Sequence, residues 1–312
     1  MKIFVITMTA VVCLVAGLSL WMLYPVLTDP VPGFAQRQGT LASVEETGFH
    51  QLEDSTLTEM TLTSSSGLQV QLALRRPDSP LPGNPVMVLV AGQESGRAAA
   101  MMFPDTHGVA VAALSYLYQG SDEFSRMGIA LDLHKVQQAI LDTTPAVMLA
   151  IDYLYDRSGL NPQSVELVGV SFGAFLASVP AALDERISRL WLIHGAGDPA
   201  RVIDKGLEGK VWPDALRAGI SHFLARVGGW PHLTPERWVG EVAPRPVIVI
   251  NGLDDDDMPE LSVGALHAAL GEPNEVLWVE GGHIHPKRPE TITRVIDLMF
   301  PRLVPADSNT ES

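Results

Sequence analysis

The sequence predicts an α/β fold: a mostly parallel, doubly wound sheet with a short helical cap insertion, preceded by an N-terminal transmembrane helix. Three observations carry that expectation. Short, wholly apolar runs such as "PVMVLVAG" and "GVAVAALSY" recur along the chain, the mark of strands buried on both faces. Helix-length segments alternate with them, which implies βαβ units. The stretch from Ile3 to Leu27 carries no charge at all.

The N-terminal segment spans a hydrocarbon core of about 30 Å if it is helical, at ~1.5 Å per residue. Lys2 precedes it, Asp29 follows it, and the next basic residue is Arg37. The positive-inside rule then leaves the N-terminus in the cytoplasm and the rest on the extracytoplasmic side. Trp21 and Tyr24 sit where interface anchors would. The alternative is a cleaved signal, with "GFA" before Gln36 as a processing site and a secreted or periplasmic product. Residues 28–53, rich in Pro, Gly and polar residues, read as a linker. Residues 54–303 form the main domain, and residues 304–312 a frayed tail.

Within the domain, "TLTEMTLTSSSGLQVQLALRRP" holds two alternating runs around Ser-Ser-Gly, an antiparallel hairpin at one sheet edge. Buried strands follow at "PVMVLVAG" and "GVAVAALSY". A helical region extends from Leu131 to Arg157, with Pro145 placed to break or restart it. "SVELVGV" is the next strand, and "FGAFLASVPAAL" opens a helix. "ISRLWLIHG" and "PRPVIVING" are two more strands, "SVGALHAAL" a helix, "EVLWVEGG" a strand, and "ETITRVIDLMF" a closing helix. Between Asp198 and Val242, helical and irregular sequence with Trp212, Trp230 and Trp238 replaces a short crossover. That segment reads as an insertion over one end of the sheet, and its tryptophans as an apolar acyl pocket or as cap core.

Composition narrows the function. A formal net charge of −15 argues against a nucleic-acid partner, because phosphate binding needs clustered Lys and Arg. The single cysteine, Cys13, allows no intramolecular disulfide. No His-x-x-x-His or paired-Cys spacing appears, so neither a metal nor a cofactor is expected.

Ligands of parallel α/β sheets bind outside the carboxyl ends of the strands. Ser171 follows "VELVGV", Leu-Asp-Asp-Asp-Asp follows "PVIVING", His283 follows "VLWVEGG", and Gln93 follows "VMVLVAG". Gly-x-Ser-x-Gly alone arises by chance roughly one time in ten in a chain this long. Its place between a buried strand and a helix is where a nucleophile elbow must fall. Gly169 and Gly173 would remove side chains that otherwise collide with the neighbouring strand and helix, leaving the Ser171 hydroxyl in the cleft. A hydroxyl needs a base within about 3 Å, and the base needs an orienting partner. His283 is the candidate base, its two preceding glycines suiting a loop that approaches the serine; His285 is the alternative. His194 reads as a hydrogen-bonded structural histidine. The acid lies among Asp254, Asp255, Asp256 and Asp257, most of which must face water because adjacent carboxylates repel; Asp198 is an outside candidate. The oxyanion hole would use the backbone N–H groups of Phe172 and Gln93.

These stretches, "VLVAGQ", "GVSFG", "INGLDDDDMP" and "GGH" in that order, resemble the α/β-hydrolase superfamily over Thr56 to Phe300. "GLDDDDMP" is similar to the family's Gly-x-x-Asp-x-x-x-Pro pattern, which implies Asp255 as the acid, with Asp256 the alternative. Within the superfamily the chain looks most like the dienelactone-hydrolase and acyl-CoA thioesterase/acyltransferase group. Ala91 departs from the family, many members of which carry His there, although backbone donors do not need it. The resemblance implies a Ser171–His283–Asp255 triad that cleaves an ester or thioester of a small molecule through an acyl-enzyme. An acyltransferase on the same residues, or a non-catalytic binding protein of the same fold, are the competing readings.

Overall fold

The computed structural model describes residues 2–92, 95–118 and 132–303. A nine-stranded sheet organises them, in the order β1-β2-β3-β5-β4-β6-β7-β8-β9. Its strands are β1 (Leu41–Gln51), β2 (Ser55–Ser64), β3 (Gln69–Pro77), β4 (Val86–Val90), β5 (Ala110–Leu114), β6 (Val165–Val170), β7 (Ile187–Ile193), β8 (Val247–Gly252) and β9 (Asn274–Val279). From β5 through β4 to β9 every pairing is parallel. β1, β2 and β3 are antiparallel to one another, and β3 pairs antiparallel with β5.

The continuous apolar runs follow from helices on both faces. Along β4, Val86 and Val88 enter the core that holds Ala146, Leu149 and Ala174, while Met87 and Leu89 enter the core that holds Val295 and Met299. A strand with two dry faces has no position left for a polar side chain. The helices are α1 (Lys2–Leu23), α2 (Phe34–Gln38), α3 (Leu133–Asp156), α4 (Phe172–Leu183), α5 (Pro199–Leu207), α6 (Asp214–Val227), α7 (Trp230–Leu233), α8 (Pro235–Trp238), α9 (Glu260–Ala268) and α10 (Pro289–Leu303). α3 and α4 cover one face of the sheet; α10 and a 3₁₀ segment at Gly96–Met101 cover the other.

Two expectations need correcting. Pro145 does not interrupt α3, which runs through it for 24 residues. A proline inside a helix costs ~3 kcal/mol. Here Val147, Leu149, Ile151 and Leu154 are fully buried, at roughly 1.5–3 kcal/mol each, so packing outweighs the lost hydrogen bond. The segment read as a linker is structured. Phe34 is buried, Gln38 Nε2 donates to Asp152 Oδ2 at 2.7 Å, and residues 41–51 form β1 along β2. β1 is mostly exposed. An edge strand wetted on both sides has the polar, Gly-containing sequence of a loop, so its composition hid it.

α1 is the helix among the described residues that is long and apolar enough to cross a membrane, by length and composition. Its span, Thr7–Val26, has a mean hydropathy of 1.9 and is almost wholly unburied. The end of α1 is fastened to the domain through buried Gln137, whose Nε2 donates to Met22 O at 2.7 Å and Val227 O at 2.6 Å. The tail from residue 304 lies outside the described residues.

Candidate active site

Four neighbouring parallel strands end at one place. β6 leads into Ser171, β7 into His194, β8 into the loop carrying Asp255, and β9 into the loop carrying His283. Ser171 caps α4 with φ +54° and ψ −116°, a conformation sparsely populated by non-glycine residues and typical of a nucleophile elbow. Its N–H donates to Ile193 O at 2.8 Å, and its carbonyl accepts from Ala174 N–H at 2.9 Å. The turn is possible because the flanking positions lack side chains. A Cβ on Gly173 would overlap the Val90 carbonyl oxygen, and one on Gly169 would lie 2.7 Å from both Ala177 Cβ and Gly173 O.

Ser171 Oγ lies 2.7 Å from His283 Nε2. His283 Nδ1 lies 2.8 Å from Asp255 Oδ2. The second carboxylate oxygen, Oδ1, accepts from Asp257 N–H at 3.1 Å. The Asp255 side chain is 5% exposed and that of His283 13%, whereas Asp254, Asp256 and Asp257 are exposed. Burial pushes the Asp255 carboxyl up, but hydrogen bonds from His194 and His283 outweigh it and hold the group well below the usual carboxylate range. The loop thus sends one carboxylate inward and leaves three in water, as electrostatic repulsion requires.

The other candidates fall elsewhere. Asp198 is the N-cap of α5 and accepts from Arg201 N–H and Arg201 Nε. Asp256 points to solvent beside Asp254 and Asp257. His285 accepts from Lys287 N–H at Nδ1, two residues along its own loop, and borders the same cavity as Ser171. Phe172 N–H is the first of α4 and has no intrahelical acceptor, which leaves it free for an anion at a positive helix end. The loop after β4 passes beside the serine: a Cβ on Gly92 would lie 3.7 Å from Ser171 Cβ. Gln93 itself lies outside the described residues.

His194 is the residue sequence reasoning undervalued. It is fully buried, and its Nδ1 lies 2.8 Å from the same Asp255 Oδ2 that His283 engages. The available signal was its position, since it ends a strand adjacent to those delivering serine and acid. His194, Asp255 and His283 each offer a ligand-type atom within 4.8 Å of the others. Two ring N–H groups converging on one oxygen account for that cluster by hydrogen bonding, and His283 Nε2 is engaged by Ser171.

A cavity of about 300 Å³ opens at Ser171. Its walls are apolar: Leu89, Val168 and Ile193 from the sheet, Phe103 after the 3₁₀ segment, and Val295 and Met299 from α10. The tryptophan-containing insertion contributes none of its described lining. Trp212 is 86% exposed, while Trp230 is buried against Phe175 and Phe172. The insertion instead walls a second apolar cavity of about 240 Å³, between α3, α4, α5 and α6, which meets the first at Phe172.

The fold is that of the α/β-hydrolases. Acetyl xylan esterase 1 from Thermoanaerobacterium sp. superposes with a TM-score of 0.61 at 13% identity, over 88% of this chain and 93% of that one. An acetyl xylan esterase from Paenibacillus sp. R4 gives 0.59 at 18% identity, over 86% and 92%. A cold-adapted esterase from an Arctic intertidal metagenomic library gives 0.56 at 14% identity, over 83% and 100%. In sequence, the chain is 25% identical over 154 residues to the uncharacterized protein YfhR of Salmonella typhimurium, a match covering 47% of this chain. It spans about half of that relative, 49%. No protein-family model matches the chain.

Proposed function

We propose that this chain is a membrane-anchored serine esterase with Ser171 as nucleophile, His283 as base and Asp255 as its orienting acid. The observation that carries the reading is the continuous hydrogen-bonded path from Ser171 Oγ through both ring nitrogens of His283 to Asp255 Oδ2, at the mouth of an apolar cavity. That the structural neighbours are esterases points the same way. Ser171 Oγ attacks the ester carbonyl as His283 Nε2 takes its proton. The oxyanion is received by the Phe172 N–H at the start of α4. The imidazolium, steadied by Asp255, returns the proton to the leaving alcohol. A water activated by His283 then releases the acid. A fluorophosphonate probe labels Ser171 of the detergent-solubilised full chain; folded protein that takes no label would sink the reading.

The acyl group fits the cavity beneath Ser171, which at about 300 Å³ lies at the small end of ligand pockets, roughly 300–1,000 Å³. Each methylene buried is worth about 0.8 kcal/mol. On p-nitrophenyl esters kcat/KM therefore rises about 4-fold per methylene until the cavity is full. Met299 lies two helical turns beyond Ile292 along α10, about 10 Å farther from the His283 loop. Met299→Phe raises that floor. It is expected to leave acetyl ester turnover within about 2-fold while lowering octanoyl turnover about 10-fold. Equal effects on both esters would remove the cavity as the acyl site. A thioester would form the same acyl-enzyme with its thiol as the leaving group, and an acceptor alcohol in place of water would take the acyl group on; product analysis with added alcohol separates hydrolysis from transfer.

The insertion at residues 198–242 acts in this reading as a cap, closing the second cavity over Phe172. α1 acts as the anchor and, with Lys2 on the cytoplasmic side, leaves the esterase domain extracytoplasmic. Carbonate washing leaves the protein in the membrane fraction; release of a shortened chain would identify α1 as a cleaved signal.

A further inference from the structure

We propose that His194 is a positioning residue for Asp255, sharing its carboxylate with His283 and thereby setting the lower pH limit of activity. The inference rests on the Ser171–His283–Asp255 reading above. Two imidazoles converge on one oxygen: His194 Nδ1 and His283 Nδ1 each lie 2.8 Å from Asp255 Oδ2. Their rings meet edge to face, at 5.3 Å and 85°.

The surroundings make room for this ring at a cost. His194 has φ +50°, a left-handed conformation uncommon for a bulky residue. Its N–H is tied to Ile250 O at 2.7 Å. On the next strand, a Cβ at Gly252 would lie 2.7 Å from His194 Cε1, so β8 gives up a side chain where the ring passes. A strained backbone and a missing neighbour converge on one buried imidazole.

The donor follows from the partner. An ionised carboxylate oxygen only accepts, so His194 Nδ1 carries a proton and donates it to Asp255 Oδ2. His194 Nε2 is buried and has no hydrogen-bond partner among the described residues, so the contact with Asp255 is the ring's polar engagement there.

One carboxylate oxygen that serves two donors binds each less strongly than it would bind one. Without His194, Asp255 turns its whole charge on His283, and the imidazolium is stabilised further. The base then holds its proton to higher pH, and the acid limb of the kcat/KM profile moves up. The other polar groups around His283 are Ser171 at the start of α4, Asp254, Asp256 and Asp257 in the β8 loop, and His285 in its own loop. Arg288, whose Nη1 donates to His283 O, and Glu290 and Arg294 of α10 complete the set. Lys205 on α5 acts on Asp256 and Asp257. None of these changes when His194 is replaced.

The test measures kcat/KM on a p-nitrophenyl ester, and the rate of fluorophosphonate labelling, from pH 5 to 9 with the full chain in detergent. His194→Phe keeps the ring and removes the donor; His194→Asn supplies an N–H donor on a shorter side chain. His194→Phe is expected to raise the acid limb by about 0.5–1 pH unit and lower the plateau about 3- to 10-fold. His194→Asn is expected to return the limb to its wild-type position. A folded His194→Phe protein with an unmoved or lowered limb overturns the proposal, as does an equal shift in both variants. Should His194→Phe fail to fold, His194→Leu is read in its place. If neither apolar variant folds and His194→Asn does, the donor serves folding; the proposal then falls unless His194→Asn keeps the wild-type acid limb while His194→Gln, whose longer side chain moves the donor, shifts it. Wild-type protein that takes no label at Ser171 instead defeats the underlying esterase reading.

Discussion

Ser171→Ala is expected to lower kcat/KM on any ester substrate by roughly 10⁵-fold, with fluorophosphonate labelling lost. The substitution removes one oxygen and little else. The turn is shaped by backbone bonds, Ser171 N–H to Ile193 O and Ala174 N–H to Ser171 O, which alanine retains. The clearance at Gly169 and Gly173 is unaffected. Alanine accepts the same positive φ at much the same cost as serine, so the thermal midpoint should stay within a few degrees. His283 and Asp255 keep their mutual hydrogen bond, and the cavity keeps its walls. What disappears is the atom 2.7 Å from His283 Nε2 that would form the acyl bond. Residual turnover then comes from oxyanion binding and proximity alone. A folded Ser171→Ala protein that keeps a tenth of wild-type activity would show that another group is the nucleophile.

Sequence and structure agree most where a residue's chemistry and its place on a strand are both local. Ser171, Asp255 and His283, which meet within hydrogen-bond distance, each follow a strand with an apolar run, and such runs are visible without knowing their neighbours. Register and sharing are not local. That His194 and His283 meet on one oxygen depends on β7 lying beside β8, and no spacing within either segment records it. β1 escaped notice because a wet edge strand and a loop draw on the same residues. The acyl-sized cavity escaped for a related reason. Ile292, Val295, Ile296 and Met299 recur at helical spacing, the pattern of any core-facing stripe. Whether such a stripe meets packed side chains or an empty volume is decided by the segment opposite, here Ala99 to Phe103. The tryptophans drew attention to the insertion because they are large, yet size says nothing of which face they occupy.

Asp255→Asn should be nearly as damaging as loss of the serine, at about 10⁴-fold in kcat, while Asn at 254, 256 or 257 should change it no more than about 3-fold. The four carboxylates differ only in where the loop sends them. Asp255 is 5% exposed and accepts from His194 and His283 through one oxygen; the other three stand in water. An asparagine at 255 can offer the two rings its oxygen, without charge, or its NH₂, which meets two N–H donors head-on. Neither stabilises an imidazolium, and the second favours the wrong tautomer of His283. Stability should respond to pH as well. The folded Asp255 carboxyl is held below its ordinary value, with burial opposing and the two histidine hydrogen bonds prevailing. A depressed carboxyl contributes stability above its unfolded value of about 3.9 and loses it as pH falls through the folded one. Urea unfolding at pH 7 should therefore find Asp255→Asn less stable than wild type, and the gap should narrow below about pH 4. Asp256→Asn should track wild type throughout. A larger loss of activity from Asp256→Asn than from Asp255→Asn would move the acid to the neighbouring residue and, with it, the direction from which His283 is held.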